Sequence, residues 1–231
     1  IYYLRSLQNS ASLAIRDCIR FSMPVADGDP LLLQNLGLQR EFLEFLGLFN
    51  WAHCELGGRS GPYLMADIGC RDFSFAPVYE DWAIGFGLDA EIHGVEVDGF
   101  RRYSNFRTRA DYGRFYAAKL KKGFYHPGDF LRWNRNVDLF FLLHPFVTPE
   151  PPVRWGLPLS VFKPQQLFDH AFELLKPNGL MLLSNPTERE SEISEKLALE
   201  SGFVVIDRQK WLPRPDTRHQ RPRIGILLGK K

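Results

Sequence analysis

Residues 203–228 decide the fold. Phe203-Val204-Val205-Ile206 opens the stretch, a loop carrying Pro213, Pro215 and Pro222 follows, and Ile224-Gly225-Ile226-Leu227-Leu228 closes it. Two short apolar runs of strand composition thus flank a Pro- and Arg-rich connection with no helical period. Strands joined without a crossover helix pair antiparallel. Upstream the pattern differs. Strand candidates at residues 63–68, 91–97, 124–126, 137–143 and 180–183 alternate with helical stretches over 74–84, 103–120, 163–175 and 188–200. Such alternation implies a parallel sheet with helices on both faces. The run VDLFFLL at 137–143 is the strongest strand signal, and Lys176-Pro177-Asn178-Gly179 reads as a helix stop with turn chemistry.

Towards the N-terminus the period changes. Leu32, Leu33, Leu36, Phe42, Leu43, Phe45, Leu46 and Phe49 recur at spacings of three and four, so residues 6–49 read as amphipathic helix. Gly57, Gly58, Gly61 and Pro62 then form a linker. The chain divides into a helical N-terminal extension with its linker (1–61) and a main α/β domain (62–231). A length of 231 residues with 45% hydrophobic and 24% charged content suits one such domain, and excludes a disordered chain, a collagen or a coiled coil. The longest apolar run, residues 139–143, is far below the ~20 residues of a membrane span. Neither a secretory leader nor a span is expected. Cys18, Cys54 and Cys70 form no CxxC pair, which points to a reducing, cytoplasmic setting and to no structural metal.

The net charge of +2 averages over unlike regions. Residues 100–135 carry ten Lys/Arg against two Asp, and residues 208–231 carry eight against one, leaving the remainder strongly acidic. Two such segments suit a polyanionic partner, RNA or DNA, or else are solvated faces.

Open α/β sheets bind ligands beyond the carboxyl ends of their strands. The first strand ends in Asp67-Ile68-Gly69-Cys70-Arg71-Asp72-Phe73, where Gly69 permits a tight turn and Asp72 or Ser74 is placed to cap the next helix. The second ends in Glu96-Val97-Asp98, an acid able to accept both hydroxyls of a ribose. Gly128-Asp129-Phe130 follows the third strand, offering an acceptor for an exocyclic amine and an aromatic wall. His144-Pro145-Phe146 follows the fourth. Acids at three successive strand ends describe a nucleoside-shaped site. Cys70 reads as a small apolar filler.

In this order, Asp67-x-Gly69, Glu96, Asp129, a polar group after the fourth strand and a terminal hairpin resemble the class I S-adenosylmethionine-dependent methyltransferases, and the phrases DIGCRDFSFAP (67–77) and GVEVDGFRRY (94–103) look like a functionally undescribed branch of them. The phrase Leu174-Leu175-Lys176-Pro177-Asn178-Gly179-Leu180 is also similar to that family. The resemblance spans residues 63–231. It implies an α/β, seven-stranded, mostly parallel Rossmann-like sheet with an antiparallel C-terminal hairpin, and S-adenosyl-L-methionine as cofactor. Asp67, Gly69 and Arg71 would lie at the methionine part, Glu96 and Val97 at the ribose, and Asp129 and Phe130 at the adenine, unless Asp129 is an ordinary turn residue. His144 would stand at the catalytic position or serve as a satisfied structural histidine. The sequence departs from the pattern at two of the three glycines of the first motif, where Arg71 and Phe73 stand instead. Arg71 either pairs with the cofactor carboxylate or obstructs the pocket. The histidine and single proline of 144–146 also match poorly the (Asp/Asn/Ser)-Pro-Pro-aromatic motif of amino-methyltransferases.

Two other readings follow from the same residues. The altered glycine motif suits a non-catalytic binding module acting through its basic surface. A nicotinamide-dependent oxidoreductase is disfavoured, because G-x-G-x-x-G is absent after the first strand and the terminal hairpin does not suit it.

Overall fold

The computed structural model describes Phe49, residues 62–211 and residues 223–230. The chain runs β1 (Pro62–Ile68), α1 (Ala76–Gly85), β2 (Asp89–Glu96), α2 (Arg109–Ala117), β3 (Gly123–Pro127), β4 (Val137–Leu143), α3 (Glu150–Arg154), α4 (Pro164–Leu174), β5 (Leu175–Asn185), α5 (Glu188–Glu200), β6 (Val204–Trp211) and β7 (Arg223–Gly229). The strands form one seven-stranded sheet in the order β3-β2-β1-β4-β5-β7-β6. Pairings from β3 through to β5 are parallel, and β7 runs antiparallel to both β5 and β6. The closing hairpin is therefore as the sequence predicts, with β7 inserted between β5 and β6.

Alternation along the central strands builds two cores. On one face Met65, Leu139 and Phe141 pack with Phe49, Tyr79 and Trp82. On the other, Ala66, Phe140, Leu142 and Met181 pack with Phe168 and Phe203. Successive side chains of a strand point to opposite faces, so a continuous apolar run such as VDLFFLL supplies both layers. The expected N-terminal helices lie outside the described residues except at Phe49, which is helical and packs its ring at a tilt against Tyr79 and Phe141.

Three local expectations are corrected. The helix expected over 103–120 is shorter, because Thr108 and Asp111 form a capping box that starts α2 at Arg109. Before it, Arg102 bridges Thr108 and Phe106 turns at φ 65°. Asp72 and Ser74 do not cap α1. Its N-cap is Phe75, with no side-chain hydrogen bond, and Asp72 instead accepts from the Ser74 and Tyr103 hydroxyls. The Lys176–Gly179 turn does not stand outside the sheet but interrupts β5, whose register to β4 jumps from Val137↔Leu175 to Leu139↔Leu180. Asp138 fills that gap by accepting from the Leu64 amide and from Lys176 Nζ.

Candidate functional site

The strand order reverses between β1 and β4, and a cleft of about 570 Å³ opens at their carboxyl ends. Asp67, Gly69, Arg71, Glu96, Val97, Asp129, Phe130 and His144 all line it. Its volume falls in the range of small-molecule sites.

The turn after β1 shapes the floor. Gly69 has φ +79° and donates its amide to the Val95 carbonyl at 2.8 Å. A Cβ at Gly69 would meet nothing within 4 Å, so space remains above the turn. Arg71 and Phe73 also adopt left-handed backbone, at φ 57° and 58°. The loop thus keeps the alternating left-handed geometry of a glycine-rich turn with side chains on two of its three positions. Left-handed backbone costs an L-residue roughly 1–2 kcal/mol. Phe73 offsets this by complete burial against β2, where Gly94 leaves room for it: a Cβ at Gly94 would lie 2.6 Å from the Phe73 ring. The Arg71 side chain is exposed and points along the cleft wall, its guanidinium 5.9 Å from the Trp155 ring.

Glu96 is 5% exposed at the end of β2. Its Oε2 accepts from the Arg71 amide at 2.8 Å and its Oε1 from the Asp98 amide at 2.7 Å. Arg109 Nη1 lies 3.7 Å from Oε1 and binds Asp98 at 3.1 Å. Burial pushes the Glu96 carboxyl up, while the Asp98 amide, Arg109 and the Arg71 amide pull it back. Each oxygen keeps an unused lone pair, so the group is aligned but not saturated. Asp67, equally buried, accepts from the Tyr79 hydroxyl at 2.7 Å. Burial raises its carboxyl to about 7, against the Tyr79 hydrogen bond and with a further push from the Glu96 charge. The Cys70 thiol is pushed well up, chiefly by burial, which leaves it unreactive.

After β3, Asp129 is exposed and caps a 3₁₀ turn by accepting from the Leu131 amide. Phe130 is 6% exposed and packed against Phe140, Trp133 and His170, so its ring belongs to the core with only an edge on the cleft. His144 follows β4 in left-handed backbone (φ 59°), its amide donating to the Ser184 carbonyl. Residues 145–163 then cross the cleft. Trp155 docks this strap: its carbonyl accepts from Arg101 Nη2, and its ring lies 5.0 Å from the Arg109 guanidinium.

Tyr79, Arg109 and Trp155 were not legible as site residues. Arg109 sits inside the basic run of residues 100–135, where a solvated reading was natural. Its contact with Glu96 and Asp98 is made across the fold, beyond any local pattern in the sequence. Among the described residues of the two basic segments, several cations are paired within the fold. Lys122 binds Asp89 and Arg135 binds Glu91, at the opposite end of β2 from the cleft. Arg208 binds Glu195, and Lys230 donates to the Phe172 and Leu175 carbonyls. Arg214, Arg218 and Arg221 lie outside the described residues.

The fold is that of the class I S-adenosylmethionine-dependent methyltransferases. The chain superposes on the N-methyltransferase NodS from Bradyrhizobium japonicum WM9 in complex with S-adenosyl-L-homocysteine at TM-score 0.56 and 14% identity, over 95% of this chain and 99% of that one. The cyclopropane synthase MmaA2 from Mycobacterium tuberculosis gives 0.56 at 13%, covering 95% and 94%. Precorrin-6y C5,15-methyltransferase from Geobacter metallireducens GS-15 gives 0.52 at 14%, covering 81% and 88%. No protein-family model and no curated relative matches the sequence.

Proposed function

We propose that the protein is an S-adenosylmethionine-dependent methyltransferase. The observation that carries this is Glu96: a buried carboxylate at the end of β2, aligned by two backbone amides and bordering the cleft where β1 and β4 part. A carboxylate with one free lone pair on each oxygen suits the adjacent hydroxyls of a ribose. The donor set fits the cofactor along its length. Asp67 would hold the ammonium of the methionine part, Gly69 would let the backbone approach, and Arg71 would border the methionine carboxylate. Val97 would cover the ribose, and Asp129 would accept from the adenine amine beside the edge of Phe130.

When bound, the cofactor supplies a methyl group on a sulfonium sulfur, which departs as a neutral thioether once an acceptor lone pair takes the methyl. The chain's own residues then have to position and desolvate the acceptor. His144 is the one histidine among the described lining residues, and we assign it the acceptance of the acceptor's proton on its imidazole.

The test is incorporation of label from methyl-tritiated cofactor into small-molecule, RNA and protein fractions of a cell extract. Label should enter one fraction with the parent protein and not with Glu96→Ala. His144→Ala should lower the rate about a hundredfold or more while leaving cofactor affinity unchanged. If no fraction takes up label while the cofactor still binds, the protein is a non-catalytic binding module.

A further inference from the structure

The cleft is larger than the strand-end acids need, and its second half has a different chemistry. The strap of residues 145–163 contributes Phe146, Trp155, Leu157 and Phe162 to the wall, all half-buried. Phe146 meets Trp155 edge to face at 6.0 Å, giving a continuous aromatic surface. Arg154 and Lys163 line the same part and are exposed.

The balance of charge there is one-sided. Each acid that lines the cleft already has a partner: Asp67 holds Tyr79, Glu96 the Arg71 and Asp98 amides, Asp129 the Leu131 amide, and Glu190 the Thr187 hydroxyl. Among the described residues, no carboxylate lies within ion-pair distance of Arg154 or Lys163. Glu150 stands one turn before Arg154, and local hydrogen bonds and, with them, the Arg154 charge hold its carboxyl down, so Arg154 is partly balanced and Lys163 carries the unbalanced positive charge beside the aromatic wall.

From this juxtaposition we infer that residues 145–163 build the methyl-acceptor subsite, and that it takes a small aromatic acid, a flat ring carrying a carboxylate or similar anion. The ring stacks against Phe146, Trp155 and Phe162, and Arg154 and Lys163 face the anion. Stacking and a paired charge would hold such a molecule in one orientation, which a methyl transfer requires. A polynucleotide is left as an outcome of the test: among the described residues Lys122 and Arg135 are paired at the far end of β2, and the basic residues of 212–222 lie outside the described ones.

This inference rests on the methyltransferase reading, and its test separates the two. Calorimetry first measures S-adenosylhomocysteine alone, where absence of binding overturns the methyltransferase reading itself. The protein saturated with S-adenosylhomocysteine is then titrated with benzoate, 2-naphthoate, neutral 2-naphthamide and cationic 2-naphthylmethylamine. At least one carboxylate should bind, with 2-naphthoate at least tenfold tighter than the amide and the amine weakest. The double variant Arg154→Gln/Lys163→Gln should lose that tenfold preference while keeping its affinity for S-adenosylhomocysteine. Phe162→Ala should weaken both naphthoate and naphthamide. Equal binding of the three naphthalenes, preference for the amine, no binding of either carboxylate, or displacement of naphthoate by a mixed-sequence RNA oligonucleotide would each overturn the inference.

Discussion

At Arg71 and Phe73 the chain places ordinary side chains where the backbone asks for glycine, and the two positions resolve the conflict differently. Phe73 is wholly buried, so Phe73→Gly relieves ~1 kcal/mol of backbone strain but loses a core aromatic. Removing a buried Phe costs about 3–5 kcal/mol, and the loss wins. Glycine's extra freedom in the unfolded chain cancels most of the relieved strain, so chemical denaturation should show a net destabilisation of about 3–5 kcal/mol. Arg71 is exposed, and its relief of strain is balanced by the extra freedom glycine gains in the unfolded chain. Arg71→Gly should leave stability within about 1 kcal/mol of the parent, so a change in cofactor affinity reports the side chain directly. Weaker binding places Arg71 on the methionine carboxylate, and tighter binding makes it an obstruction. Asp67 gives a second residue-scale outcome. Its carboxyl, raised to about 7, is half-protonated near neutrality and only its ionised form attracts an ammonium. Cofactor affinity should therefore rise between pH 6 and 7.5 in calorimetric titrations, and Asp67→Asn should flatten that rise. The acids at 67 and 96 were legible because a carboxylate among apolar neighbours at a strand end is costly without a partner. Their partners Tyr79 and Arg109 were not, since contacts across the sheet have no sequence period.

Between β2 and β3 the sheet carries a relay that the cleft does not use. His93, 1% exposed, shares a hydrogen bond with His126 at 2.8 Å and with Glu91 at 2.7 Å, and Arg135 binds the same carboxylate. Burial lowers the pKa of both histidines below 6.5, with the Arg135 charge adding to it. A folded histidine with a lowered pKa binds fewer protons than the unfolded chain, so its contribution to stability is full above about 6.5 and is lost as pH falls. Asp67 acts with the opposite sign. Folded, it holds its proton up to about 7, against 3.8 for the ordinary group, so its contribution grows as pH falls through that window. The slope of Tm against pH between 5 and 7 should become shallower in His93→Gln and steeper in Asp67→Asn. Scanning calorimetry reads both slopes, and equal slopes in the two variants would refute these assignments. At this scale the sequence was informative where period and composition agree, as in β4 and α5. It was misleading at residues 103–108, where apolar and basic residues continue a helical look and only Thr108 with Asp111 marks the true start.

For the whole molecule, the parallel sheet and its reversed last pair followed from one missing crossover helix, and the position of the cleft followed from the sheet. The strap did not. Its prolines and short helix give no period, and its path over the cleft is set by Trp155 meeting Arg101, Arg109 and Arg71, which are distant in the chain. The clustering of basic residues in sequence likewise gave no indication that Lys122 and Arg135 would turn away from the cleft. The account stands on one claim, that Glu96 and its neighbours hold the ribose of S-adenosylmethionine. Isothermal titration of the purified protein with S-adenosylhomocysteine tests it most directly. One-site binding on the order of micromolar is expected, with no detectable binding of NAD. Glu96→Ala should weaken it by about 1.5–3 kcal/mol, the scale of a lost charge-assisted hydrogen bond, or roughly ten- to a hundredfold. No heat with the parent protein, or unchanged affinity in a Glu96→Ala variant that remains folded, would contradict the claim.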